Sequence, residues 1–244
     1  MREQPDDQGG IMNTTTQRPL RIAITGVSRG LGLALSQALA ARGHQVFGCQ
    51  LSADAAPAAQ ANPALFSASV AVPEDMRRFA EAAGREGAMD IVVCNAGVIN
   101  ARKPAWEISQ EEWAQVMEVN VLGVVNTLHA FLPAMLDRGQ GLFVAISSGW
   151  GRSASWGLGP YCASKFAVEG LIGSLSADLP EGLHAVALDP GNGVNTKMLA
   201  QCLPDDHTQY IAPGLWAEHA ADYIVDQLHG QKLSGSRTVP HPGC

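Results

Sequence analysis

The stretch Leu20-Arg21-Ile22-Ala23-Ile24-Thr25-Gly26-Val27-Ser28-Arg29-Gly30-Leu31-Gly32 decides the fold. Its first six residues form a short apolar run stopped by a glycine, which reads as a buried strand. Apolar residues at helical spacing fill 31–41 and stop at Gly43, so the glycine-rich turn joins a strand to a helix. Gly26, Gly30 and Gly32 let the backbone turn tightly and approach a ligand, and let the helix pack close to the sheet. A helix start offers free N–H groups and the positive end of its dipole. A glycine-rich turn alone is often structural. Placed after a first strand, the Gly-x-x-x-Gly-x-Gly spacing predicts a dinucleotide pyrophosphate site that includes Ser28, Arg29 and Leu31.

Outward from this turn, strand-like runs at 44–50, 65–70, 90–94, 142–147, 184–188 and 237–239 alternate with helical stretches. Pro73, Glu74 and Asp75 open one helix, with proline and acids in its first turn. Ser109-Gln110-Glu111-Glu112 is a capping box for a long helix reaching about residue 135. Further helices are expected at 161–179 and 215–228. The alternation predicts an α/β, single-domain, Rossmann-type doubly wound parallel sheet over 20–244. Residues 1–19 are polar, lack the apolar centre of a signal peptide and read as a flexible tail, with Met12 an alternative start. In such a sheet the strand-end loops at Gly26, Asn95, Ser147 and Pro190 gather at the carboxyl edge, where ligands bind.

Composition narrows the function classes. The 244 residues carry a net charge of −7, with 46% apolar and 16% charged residues, as expected of a soluble globular chain. There is no basic run to suit nucleic acid, and no stretch reads as a membrane span. Five cysteines are scattered without a Cys-x-x-Cys pair, and the seven histidines do not cluster, so no metal or disulfide framework is indicated. Reduced thiols point to the cytoplasm.

Tyr161 and Lys165 lie four residues apart, on one face of a helix opened by Pro160. A free phenol has a pKa of about 10, and a fixed ammonium beside it favours the phenolate. Such a pair suits proton transfer at an alcohol oxygen, although isolated pairs of this spacing are usually solvated. Ser148 lies thirteen residues before the tyrosine, with Ser147 as its competitor.

In order along the chain stand Thr25-Gly26-x-x-x-Gly30-x-Gly32, Asn95-Ala96-Gly97, Asn120, Ser148, Tyr161-x-x-x-Lys165 and Pro190-Gly191. This set resembles the classical short-chain dehydrogenase/reductase (SDR) family over residues 20–240. The resemblance implies Tyr161 as general acid/base, Lys165 lowering its pKa and holding the nicotinamide ribose, and Ser148 polarising the carbonyl. It implies that Asn120 holds a water in a proton relay and that Asn95, Ala96 and Gly97 line the cofactor crevice. Pro190, Gly191, Val194 and Thr196 match the family's Pro-Gly-x-Val-x-Thr, with one extra residue in 190–196. Two family features are altered: Cys94 stands where a second asparagine is common, and Ser69 where an acid faces the adenine.

The end of the second strand, Gly48-Cys49-Gln50-Leu51-Ser52, has no carboxylate to hold a ribose 2′-hydroxyl. Arg29 can grip a 2′-phosphate. NADP(H) is therefore expected, with Ser52 beside it. Asp54 leaves NAD(H) open if the strand runs longer. On the substrate side, Trp150, Trp156 and Met198 are expected near the site, with Leu199, Leu203 and Trp216 flanking a short lid. Arg152 is a candidate for an anionic substrate. The expected activity is interconversion of a small-molecule carbonyl and a secondary alcohol. The alternative is a non-catalytic NADP(H)-sensing regulator, and an epimerase or dehydratase would need a longer chain. The resemblance also implies a homodimer or homotetramer packed through helices at 109–136 and 161–179.

Overall fold

The computed structural model describes residues 18–51, 63–229 and 235–240. Ser52, Asp54, the tail up to residue 17 and residues 241–244 lie outside them. Strands β1 (Arg21–Thr25), β2 (Gln45–Gln50), β3 (Pro63–Ser67), β4 (Ile91–Cys94), β5 (Gly141–Ile146), β6 (Leu183–Asp189) and β7 (Ser236–Thr238) form one parallel sheet in the order β3-β2-β1-β4-β5-β6-β7. The chain reverses its direction of winding between β1 and β4, which opens a crevice at their carboxyl ends.

The two-residue period of each strand builds two cores. Ile22 and Ile24 of β1, Ile91 and Val93 of β4, and Val144 of β5 face helices α1 (Gly30–Ala41) and α7 (Pro213–Asp222). Ala23, Val92, Phe143 and Ala185 face α2 (Pro73–Ala83), α4 (Gly123–Arg138) and α5 (Gly159–Asp178). Phe79 of α2 is buried between Phe66 and Phe131, each with ring centres 5.2 Å away. A ring so placed contributes about 2–3 kcal/mol through burial.

Three elements depart from the sequence reading. β3 ends at Ser67 because the chain then turns to start α2: Ser69 N–H donates to the Asp75 carboxylate at 2.9 Å. The long helix is broken into α3 (Gln110–Met117), a π-helical turn at Glu118–Leu122, and α4. Ser109 caps α3 by accepting from Glu112 N–H at 3.2 Å. The last helix likewise ends in a π-helical turn at Tyr223–Leu228. By length and apolar composition alone, the helix Gln110–Arg138 could cross a membrane, contrary to the expectation. In the fold its Val124, Phe131, Leu132 and Met135 are buried in the core.

Candidate active site

The glycine turn closes over the end of β1. Gly26 has φ +73°, and a Cβ there would sit 2.7 Å from the Ala96 Cα, so only glycine lets β1 and β4 approach at this point. A Cβ on Gly32 would overlap the Asn95 amide and the Gly26 carbonyl. Asn95 joins the two strand ends: its Nδ2 donates to the carbonyls of Thr25 and Gly26, both at 2.9 Å. The Thr25 hydroxyl accepts from the backbone N–H groups of Asn95 and Ala96, both at 3.1 Å. Leu31 packs against the first core, and Ser28 is half-buried.

Asn120 lies on the π-helical turn, which adds a residue to the helical repeat and aims this side chain inward. Buried to 1% exposure, its Oδ1 accepts from Val98 N–H at 2.8 Å. Its Nδ2 donates to the Val98 carbonyl at 2.9 Å and to Ser164 Oγ at 3.0 Å. The side chain thus secures the segment after Gly97 to α5, and both amide hydrogens are used within the protein. Neither amide hydrogen is left for the relay water that the resemblance implied, so such a water would meet the carbonyl oxygens of this residue.

Ser148, Tyr161 and Lys165 converge where β5 meets α5. Ser148 lies just beyond β5, and its hydroxyl accepts from Trp150 N–H at 3.2 Å. Ser147 points elsewhere, donating to Glu169 at 2.5 Å. Burial drives the Tyr161 phenol well above its ordinary pKa, and the hydrogen-bonded Ser148 hydroxyl offsets part of the rise. Burial lowers the Lys165 amine to about 8, opposed by the nearby Glu169 carboxylate. Lys165 Nζ donates to the Ile146 carbonyl at 2.7 Å and lies 5.6 Å from the Tyr161 ring centre. The expected lowering of the tyrosine pKa is therefore overturned within the protein's own groups. Desolvation of the phenol outweighs an ammonium that is held against a backbone carbonyl.

Asn100 is a positioning residue that the sequence reading missed. It is buried, its Oδ1 accepts from Tyr161 N–H at 3.3 Å, and its Nδ2 donates to the carbonyls of Ala101 at 2.8 Å and Gly157 at 3.0 Å. It fixes the start of α5 against the loop after β4. Its only sequence signal was its place three residues after the Asn95-Ala96-Gly97 motif.

The segment after β6 crosses above the glycine turn. Thr196 lies beside Gly30: a Cβ on that glycine would be 3.7 Å from the threonine Cγ2. Thr196 also caps helix α6 (Lys197–Cys202), accepting from Leu199 N–H at 3.1 Å. Val194 is buried and bridges Ile211. The Pro190 carbonyl accepts from Trp216 Nε1 at 2.9 Å, and Gly191 N–H donates to Asp189 at 3.0 Å. Trp216 is therefore a core residue of α7, tied to the start of the segment it was expected to flank. Arg152 pairs with Asp189 and with Glu169, at 2.9 Å from the latter, and donates to Ser236 at 2.8 Å. Its charge is spent joining β6, α5 and β7, which leaves none for a substrate.

An apolar cluster of Leu158, Tyr161, Cys162 and Cys202, with Ile99, Trp150, Met198 and Leu203 around it, faces the tyrosine. Trp150 meets Tyr161 edge-on, ring centres 6.1 Å apart. Trp156 is 69% exposed and outside this cluster. Gly157, with φ +75°, turns the chain so that the Trp156 carbonyl, and not its ring, faces inward to Arg102. Arg102, unmarked by the sequence reading, has its guanidinium 6.0 Å from the Trp150 ring centre.

The residues fit a dinucleotide. The first turn of α1 has no acidic residue and no side-chain cap, so its N–H groups remain free for a phosphate. Gly30, with φ +59°, takes the left-handed turn that brings the backbone to the start of the helix. Arg29 stands exposed at the helix start and forms no ion pair among the described residues. Through residue 51, no carboxylate follows β2. No cluster of metal-binding side chains occurs among the described residues.

Comparison with known proteins agrees with this geometry. The chain matches the short chain dehydrogenase family over residues 21–207 and belongs to that family. It is 43% identical over 225 residues to the NADPH-dependent pterin aldehyde reductase of Arabidopsis thaliana, covering 89% of this chain and 92% of that protein. It is 30% identical over 196 residues to 2-dehydro-3-deoxy-L-rhamnonate dehydrogenase (NAD(+)) of Sphingomonas sp., covering 77% of each. Among solved structures, a Pseudomonas syringae chain assigned to the short chain dehydrogenases superposes with TM-score 0.80 at 27% identity, covering 89% of this chain and 93% of that one.

Proposed function

We propose that this protein is an NADP(H)-dependent carbonyl reductase acting on an aldehyde or ketone, with Tyr161 as its proton donor. The observation that carries the reading is the convergence of Ser148, Tyr161 and Lys165 beside a glycine turn fitted to a dinucleotide. The 43% identity to an NADPH-dependent pterin aldehyde reductase supports the cofactor, and favours an aromatic aldehyde over an aliphatic sugar as substrate. The intact Ser-Tyr-Lys set speaks against a sensing role without turnover.

When bound, the reduced nicotinamide supplies a hydride to the carbonyl carbon. Gly26, Gly30, Gly32 and Arg29 with the start of α1 hold the phosphates, and Asn95, Ala96 and Gly97 line the crevice. Pro190, Gly191, Val194 and Thr196 close over it. Negative charge then grows on the substrate oxygen. Ser148 and Tyr161 donate to that oxygen, and placed donors act most strongly where charge develops. Tyr161 gives up its proton, and the Lys165 ammonium stabilises the phenolate so formed. The raised phenol pKa keeps the donor protonated at neutral pH, which suits reduction.

Assembly as a homodimer or homotetramer is supported by Leu122 and Phe166, apolar and 53% and 48% exposed on the π-helical turn and α5. Cys49, Cys94, Cys162 and Cys202 are free thiols, which suits a reducing cytoplasm. The test is NADPH oxidation against aromatic aldehydes and ketones by the wild type and Tyr161→Phe. Turnover should fall by about three orders of magnitude in the variant, with NADPH affinity within threefold. Near-normal turnover would remove Tyr161 from the chemistry.

A further inference from the structure

We infer that Arg102 determines substrate specificity by reading a planar pair of hydrogen-bond acceptors on the ring of an aromatic carbonyl substrate. This rests on the carbonyl-reductase reading above. Arg102 stands in the loop after β4, and three contacts fix its guanidinium at the edge of the apolar cluster around Tyr161. It lies 6.0 Å from the Trp150 ring centre, and that ring is edge-on to the proton donor Tyr161. It reaches Cys202 of α6, where its charge offsets part of the upward push that burial exerts on the thiol. It donates to the Trp156 carbonyl at 3.3 Å and to Ser155 Oγ at 3.4 Å.

These last two bonds are long for N–H···O contacts, whose usual distance is about 2.9 Å. Arg102 Nε is buried without a hydrogen-bond partner, and the residue forms no ion pair among the described residues. By contrast, Arg18, Arg42, Arg138 and Arg152 all hold carboxylates. A half-buried guanidinium whose terminal N–H groups make only long or sulfur-directed bonds is incompletely satisfied, and acceptors of a ligand at those groups would complete it. Its rigid fork suits two coplanar acceptors. The surrounding wall of Trp150, Ile99, Met198 and Leu203 suits a flat aromatic body. The ligand that satisfies both is a heteroaromatic carbonyl compound with two neighbouring ring-nitrogen acceptors remote from the reacting carbon, as N1 and N8 of a pterin are from a carbonyl group on C6. A benzoate-type carboxylate offers the same acceptor pair with a full charge.

The test measures kcat/KM with NADPH for 6-formylpterin, 4-carboxybenzaldehyde and 2-naphthaldehyde, in the wild type and in Arg102→Met and Arg102→Lys. The ratio of 6-formylpterin to 2-naphthaldehyde should fall at least tenfold in Arg102→Met, mainly through KM. Arg102→Lys keeps the charge and loses the fork, so it should recover less than half of that loss on a logarithmic scale; it also serves if the methionine variant fails to fold. A ratio unchanged within twofold would make Arg102 a scaffold residue and overturn the inference. A fall confined to 4-carboxybenzaldehyde would overturn the heteroaromatic assignment in favour of carboxylates. Wild-type turnover of 2-naphthaldehyde without 6-formylpterin would sink this inference and leave the reductase reading standing. Turnover of none of the three aldehydes, nor of the ketones tried with them, would sink both.

Discussion

The Lys165 ammonium donates to the Ile146 carbonyl at the end of β5, while Tyr161, one helical turn earlier, keeps a phenol raised by burial. The two groups therefore titrate in different ranges. Lys165, lowered to about 8, is charged below that pH and neutral above it. Tyr161 remains protonated throughout. In the proposed mechanism, reduction requires the protonated phenol and the charged amine that stabilises its phenolate. Its kcat should hold level from pH 6 to 7 and decline as pH rises past the lysine value. A pH–rate profile for carbonyl reduction at saturating NADPH tests this; a level profile up to pH 10 would contradict it.

Asn120 makes three hydrogen bonds, two of them to the backbone of Val98. Asn120→Ala would leave the Val98 N–H and carbonyl without these partners in a buried setting. The expected loss of stability is about 2–4 kcal/mol, from unmade buried hydrogen bonds. Because Val98 follows Gly97, which we propose lines the cofactor crevice, kcat should fall at least tenfold as well. Urea unfolding and steady-state kinetics measure the two effects. Unchanged stability would mean that water replaces the amide without cost.

The fold was legible because its decisive signals are local. The glycine turn, the capping serine at 109 and the proline at 73 each act within a few residues. The order of the Ser-Tyr-Lys set likewise survives in one dimension. The π-helical turn was hidden, because an apolar pattern read over 29 residues cannot reveal one extra residue in a single turn. Trp216 was expected to flank a lid from its place after Pro190 in sequence; in space the link is an indole bond to the Pro190 carbonyl from inside the core. Arg102 was invisible for a related reason. Its setting is made by Trp150 and Cys202, residues 48 and 100 positions away.

At the opposite edge of the sheet, Asp90 is 1% exposed and accepts from Arg21 N–H at 2.8 Å, Arg18 at 2.7 Å and Arg138 at 2.9 Å. Burial alone would raise its pKa, yet these donors together hold the carboxyl below its ordinary 3.8. A carboxyl with a lowered folded-state pKa gives stability that is full above the unfolded value and lost as pH falls through the folded value. Asp90→Asn should cost about 2–3 kcal/mol at pH 7, from the weakened charge-assisted bonds. The cost should persist at pH 5 and shrink only below about pH 4. Urea denaturation of both proteins at pH 7, 5 and 3.5 measures it. A difference that does not depend on pH would show that charge is not its source.

Arg29 is the residue we propose to set the cofactor preference. It stands exposed at the start of α1 with no ion-pair partner among the described residues, and β2 offers no carboxylate through residue 51. A guanidinium there can meet a 2′-phosphate in a bidentate contact, whereas a ribose 2′-hydroxyl gives it much less to hold. Arg29→Ala should therefore weaken NADPH binding by at least thirtyfold and NADH binding by threefold or less. Fluorescence titration of both reduced cofactors reads this directly. The contrast should narrow as salt rises, because an exposed phosphate contact is screened. Equal losses for both cofactors would move the source of NADPH preference away from this arginine, towards the segment that follows Leu51.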